Sequence, residues 1–241
     1  MLLRRFSAHV RSENWFAVVL DLLVVIVGLF IGLQFDTWWE QQKDAKLESA
    51  YLLEIREDFE ANRSSLQDQI RTAEQTIQDM IVLHAQSTLA SPSVSSAELN
   101  GRFRSITKMP TFVLTSRAYV NLTGSGDLKL LQSRPLKNAL ADYYAAAELT
   151  AVVQATHEME LVQTFQPYII DNLDYAAVKR DFALVDDFPL VAPSDEARIL
   201  EVLGERQFRN TVVAKWLIGT DLLNQFRGML RRTDEVLKML K

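Results

Sequence analysis

The sequence contains no cysteine, which excludes disulfide bonds, thiolate nucleophiles and cysteine metal sites. It has only three histidines, and no dense block of lysine and arginine stands out among its 26 basic residues. Clustered positive charge is what binds phosphate groups, so this pattern and the formal net charge of −5 argue against a nucleic-acid partner. A chain without cysteine is also compatible with an oxidising compartment.

One apolar run, residues 15–38, dominates the chain. A helix needs ~20 apolar residues to cross ~30 Å of hydrocarbon, and this run supplies them. Tryptophan rings settle at the headgroup level, and tryptophans stand at both ends of the run. We therefore predict a transmembrane helix over residues 15–38, in contact with membrane lipid and anchored at the interfaces by Trp15, Trp38 and Trp39.

The membrane topology follows from charge and from the absence of a second span. The best later candidate, residues 212–230, is interrupted by Lys215, Asp221 and Arg227, which are costly in hydrocarbon. A cleaved signal peptide is the competing interpretation of residues 22–35, but no small-residue cleavage site follows them. We therefore predict an uncleaved, single-pass membrane anchor.

Orientation rests on the basic residues that flank the span. Three arginines precede the span and two lysines closely follow it, and basic residues favour the cytoplasmic side. We expect residues 1–14 to form a short cytoplasmic N-terminus and the C-terminal domain to be periplasmic. The flanking residues are Arg4, Arg5, Arg11, Lys43 and Lys46.

Within the span, Asp21, Gly28 and Gly32 share one side of the helix, within ~40° of one another at ~100° per residue. Gly28 and Gly32 form a G-x-x-x-G pair, which lets two membrane helices approach closely. An ionised carboxylate at this depth costs ~2.5 kcal/mol or more, so Asp21 needs a partner or an interface. We predict a helix-packing face. A carboxyl group that reaches the headgroups, or a role in ion traffic, is the alternative.

Residues 39–90 predict a stalk helix, because Glu, Gln, Lys, Ala and Leu are frequent and glycine and proline are absent. Apolar residues recur there every three or four positions, which indicates one buried stripe. The stripe consists of Leu52, Ile55, Phe59, Asn62 or Arg63, Leu66, Ile70, Ala73, Ile77, Met80 and His84.

Residues 91–241 predict a helical domain that packs on the stalk. Ser95 and Ser133 have the spacing of helix N-caps, as does the sequence Ser194-Asp195-Glu196 before the last helices. A second apolar stripe comprises Phe208, Val212, Trp216, Gly219, Leu223, Phe226, Leu230, Leu237 and Leu240. The expected fold is all-α: one transmembrane helix that continues into a long stalk helix, and an antiparallel helical bundle.

No pattern of catalytic, cofactor-binding or metal-binding residues emerges. His157-Glu158 begins like a zinc-protease motif, but residue 161 is leucine where that motif needs histidine. The aspartates of residues 171–187 lack the spacing of a calcium loop, and Gly124-Ser-Gly126 is too short to hold a phosphate. We expect a protein without enzymatic activity.

Two blocks resemble an uncharacterised bacterial family of single-pass membrane proteins. One runs from Leu20-Asp21 through Gly32-Leu-Gln34 to Trp38-Trp39, and the other runs from Ala118-Tyr119 to Tyr143-Tyr144. The chain departs from the family in having aspartate for the usual glutamate in the span and two tryptophans where one is usual. The resemblance implies a membrane-anchored helical domain and no particular activity.

With this resemblance, we predict a structural or interaction protein of a bacterial inner membrane that forms a homo-oligomer or binds a membrane protein partner. An accessory subunit of a larger membrane complex is the main alternative. A ligand sensor is less favoured, because only fourteen residues precede the span and could carry a signal across it.

Overall fold

The computed structural model describes residues 15–179 and 195–241, and these contain helices and no strands. The predicted all-α fold is therefore confirmed for this part of the chain. The helices are α1 (Trp15–Gln86), α2 (Ser96–Phe103), α3 (Arg117–Gly124), α4 (Arg134–Glu160), α5 (Gln166–Asn172), α6 (Tyr175–Lys179), α7 (Glu196–Gly204) and α8 (Arg206–Met239). Short 3-10 turns follow α2 and α3, and a π-helical turn, Leu161–Phe165, joins α4 to α5.

Helix α1 is a single uninterrupted helix of 72 residues, so the apolar segment and the stalk have no joint between them. At ~1.5 Å per residue it is ~108 Å long. The described side chains of its first third are exposed except that of Val18, which is 9% exposed, and that of Asp21, which is half-buried, whereas burial in the domain becomes regular from Ile55 onwards. The stalk helix ends at Gln86, four residues before the predicted boundary at residue 90, and a hydrogen-bonded turn follows.

Three long helices, α1, α4 and α8, form the bundle. Helix α8 is antiparallel to α1. Gly219 packs on Ile77, whereas Asp234, which is later in α8, forms an ion pair with Arg63, which is earlier in α1. The guanidinium group of Arg56 donates to the carbonyl oxygen of Leu240 at the end of α8.

Helix α4 runs in the same direction as α1. The rings of Phe59 and Tyr143 are 4.5 Å apart, and His157, farther along α4, bonds to Asp221 on α8. The core therefore lies between two parallel helices and one antiparallel helix.

The predicted N-caps are confirmed where the structure describes them. The hydroxyl groups of Ser95 and Ser133 accept hydrogen bonds from the amides of Glu98 and Leu136, both at 3.3 Å. Asp195 accepts one from Arg198 at 3.0 Å, which begins α7. Gly126 has a φ of +77°, a conformation that glycine adopts without strain, and it turns the chain after α3.

The predicted stripes are correct in period and wrong at two places. On α1 the buried residue of the last turn is Leu83, whereas His84 is exposed. On α8 the structure buries Lys215, and Trp216 is 37% exposed. The gap in the α1 stripe is filled by Asn62. The predictions for residues 1–14 and for Ser194 lie outside the described residues, as do the aspartates at positions 181, 186 and 187.

Candidate functional site

The predicted packing residues Asp21, Gly28 and Gly32 form one face of α1, which we call the glycine face. A Cβ atom built on Gly28 or Gly32 has no other atom within 4 Å. The two glycines are ~6 Å apart along the helix, and Asp21 is ~10 Å from Gly28. The chain therefore presents a smooth strip beside one carboxylate, and no part of its own described structure covers the two glycines.

The three tryptophans lie at the two ends of the apolar segment and project from the helix. Trp15, Trp38 and Trp39 are 68%, 51% and 62% exposed, respectively. Trp15 and Trp38 are ~35 Å apart along the axis, close to the ~30 Å of a bilayer core. The ring of Trp38 also lies 5.9 Å from that of Phe35, which helps to fix its position.

Among the described residues, one helix is long and apolar enough to cross a membrane. Its most apolar 18-residue window has a mean hydropathy of 2.6, and only 6% of that window is buried. A core helix of a soluble protein would bury such residues. By length, composition and exposure, the first part of α1 therefore fits a hydrocarbon environment.

The glycine face and the domain lie on opposite sides of α1. Phe59 and Leu66 are fully buried under the bundle. At ~100° per residue, Phe59 lies ~140° from Gly28 around the axis, and Leu66 lies ~160° from Gly32. A neighbour that packs on the glycine face therefore does not collide with the bundle of the same chain.

Four buried polar side chains form a second set of specific contacts, and two of them, Asn62 and Gln154, position an extended segment, residues 108–116. The amide group of Asn62 bonds to both the N–H and the C=O of Thr115, at 2.8 and 2.7 Å. Gln154 bonds in the same way to Phe112, and Asp58 accepts from the amide of Ala118 just beyond the segment. Asp79 accepts from Ser105 at 2.5 Å and from Arg102 at 2.8 Å.

The bonds of Asn62, Gln154 and Asp58 satisfy backbone groups that no helix or strand satisfies, whereas Asp79 bonds to side chains only. Of these four residues, only Asn62 is predicted from the sequence, as one of two residues that could fill a gap in the apolar stripe of α1. Polar residues that interrupt a buried stripe, as Asn62, Asp58 and Gln154 do, are the signal that could have revealed them. Their role is structural, because each is bonded to the protein itself.

Lys215 is a buried titratable group that lies against an aromatic ring. Its side chain is buried, and the ammonium nitrogen lies 5.3 Å from the centre of the Phe165 ring, in the π-helical turn. Burial lowers the pKa of Lys215 to about 8, and the nearby Glu160 opposes this shift. Burial also raises the pKa values of Tyr143 and Tyr168 to about 12.

His157 and Asp174 have structural roles. His157 bonds to Asp221 at 3.0 Å and to Glu160 at 3.3 Å. Asp174 accepts from the amides of Ala176 and Ala177 and so begins α6. Within residues 15–179 and 195–241, no three His, Cys, Asp or Glu side chains converge as metal ligands would.

Searches against protein-family models, curated proteins and solved structures find no match to this chain.

Proposed function

We propose that this chain is a non-enzymatic, single-pass membrane protein whose helical domain serves protein–protein interaction. The observation that carries the proposal is the uncovered glycine face on an exposed apolar helix that continues into the bundle. Close helix packing needs such a strip, and a membrane anchor alone does not. The occupant we favour is the same face of a second copy.

Asp21 supports this assignment because a carboxylate in hydrocarbon is stabilised where it faces protein. In a symmetric pair, the Asp21 residues of the two copies lie near each other, so one carboxyl group donates a hydrogen bond to the other when it is protonated. We assign the anchor to a bacterial inner membrane on the family resemblance, and the N-terminus to the cytoplasm and the domain to the periplasm on the flanking basic residues.

The test is the oligomeric state of the full chain in native lipid. Extraction into lipid nanoparticles followed by mass measurement should show a species of twice the chain mass. Gly28→Ile and Gly32→Ile should each reduce the dimer fraction severalfold, whereas Phe30→Ile, on the opposite side of the helix, should leave it unchanged. A wild-type chain that stays monomeric in native lipid would end the proposal.

The second candidate is an accessory subunit, in which the glycine face packs on a different membrane protein. The same extraction distinguishes the accessory subunit from the homodimer. An accessory subunit would co-purify with a second polypeptide, and the Gly28→Ile variant would lose that polypeptide. A phosphatase reporter fused after Lys241 tests orientation independently, since it is active only outside the cytoplasm.

A further inference from the structure

We draw no further inference here: the strongest candidate, the basic groove between α1 and the C-terminal part of α8, carries none, because its two arginines are already bonded to Asp234 and to the carbonyl oxygen of Leu240, and nothing in the described structure shows what its two exposed lysines would bind.

Discussion

Gln154 on α4 and Phe112 in the extended segment are joined by two hydrogen bonds that imitate the pairing of neighbouring strands. The amide of Phe112 donates to Oε1 of Gln154 at 2.7 Å, and Nε2 of Gln154 donates to the carbonyl of Phe112 at 3.1 Å. Both bonds are buried. One side chain thus supplies both partners that a strand would have provided.

Gln154→Leu should lower the free energy of unfolding by ~2–4 kcal/mol, because it leaves the N–H and C=O of Phe112 buried without partners. Circular dichroism of the full chain in detergent, during denaturant titration, measures this loss. Gln78→Leu makes the same chemical change at an exposed position of α1 and should shift stability by ~0.5 kcal/mol at most. Equal effects of the two substitutions would show that Gln154 does not hold the segment.

Helix α1 could be predicted from the sequence, whereas the contact between Gln154 and Phe112 could not. Helix α1 was predictable because residues 40–90 lack glycine and proline and repeat apolar residues at helical spacing, which are local signals. The contact between Gln154 and Phe112 spans 42 residues. A polar residue that interrupts a buried stripe is visible in the sequence, but the distant backbone to which it bonds is not, so the sequence does not predict the extended segment of residues 108–116.

Lys215 and Trp216 show a second limit. Helical periodicity gives the width of a buried stripe and not its edges, so adjacent residues compete for the last core position. The prediction that Trp216 occupies this core position is wrong. The long aliphatic chain of Lys215 enters the core instead, and its ammonium group lies over the ring of Phe165. The glycine face, in contrast, depends only on spacing within one helix, and the uninterrupted helix α1 places its residues on one side, whereas its packing role stays a prediction.

Lys215 should make stability rise with pH. Its pKa is about 8 in the folded protein, against 10.5 for the free side chain, so between these values the unfolded state binds more protons. The stabilisation is complete above pH ~10.5 and is lost as pH falls through ~8. Lys215→Met should abolish the rise between pH 7.5 and 9.5, and should stabilise the protein at pH 7 by ~1–3 kcal/mol.

The measurement is denaturant unfolding of wild type and Lys215→Met at several pH values below 10. That upper limit is needed because the raised pKa values of Tyr143 and Tyr168 reverse the slope once unfolded tyrosines ionise. Lys129→Met, at an exposed lysine, is the control and should keep the wild-type slope. A parallel slope in Lys215→Met would assign the pH dependence to other groups.

Gly219 marks the closest approach of α8 to α1. A Cβ atom at this position would lie 3.2 Å from Cγ1 of Ile77, tighter than ordinary contact. Gly219→Val should therefore destabilise the bundle by ~1–3 kcal/mol through overpacking. The second substitution Ile77→Ala should recover part of that loss, although Ile77→Ala alone is destabilising.

The double-mutant cycle on thermal unfolding measures this coupling. Gly101→Val is the matched control, because Gly101 is also helical and a Cβ atom there meets nothing within 4 Å, and it should leave the unfolding of the domain close to that of wild type. Additive effects of Gly219→Val and Ile77→Ala would contradict direct contact between the two positions.

Asp58, a residue of α1, caps the N-terminus of α3. Its Oδ2 atom accepts from the amide of Ala118 at 2.8 Å, while Ser116, the residue at the N-cap position, makes no side-chain cap bond. The Asp58 side chain is 3% exposed, whereas that of Arg117, 3.5 Å away, is 81% exposed, so the amide bond dominates over the ion pair. Asp58→Ala should cost ~2–3 kcal/mol and Asp58→Asn ~1 kcal/mol, because asparagine still accepts a hydrogen bond.

Hydrogen–deuterium exchange with mass spectrometry gives the sharper readout, because the loss should be local. In Asp58→Ala, peptides that cover residues 117–124 should lose protection at denaturant concentrations where α8 retains it. Asp68→Asn, at an exposed carboxylate on the same helix, should leave both regions as in wild type. Uniform loss of protection in Asp58→Ala would mean that Asp58 supports the whole bundle rather than the start of α3.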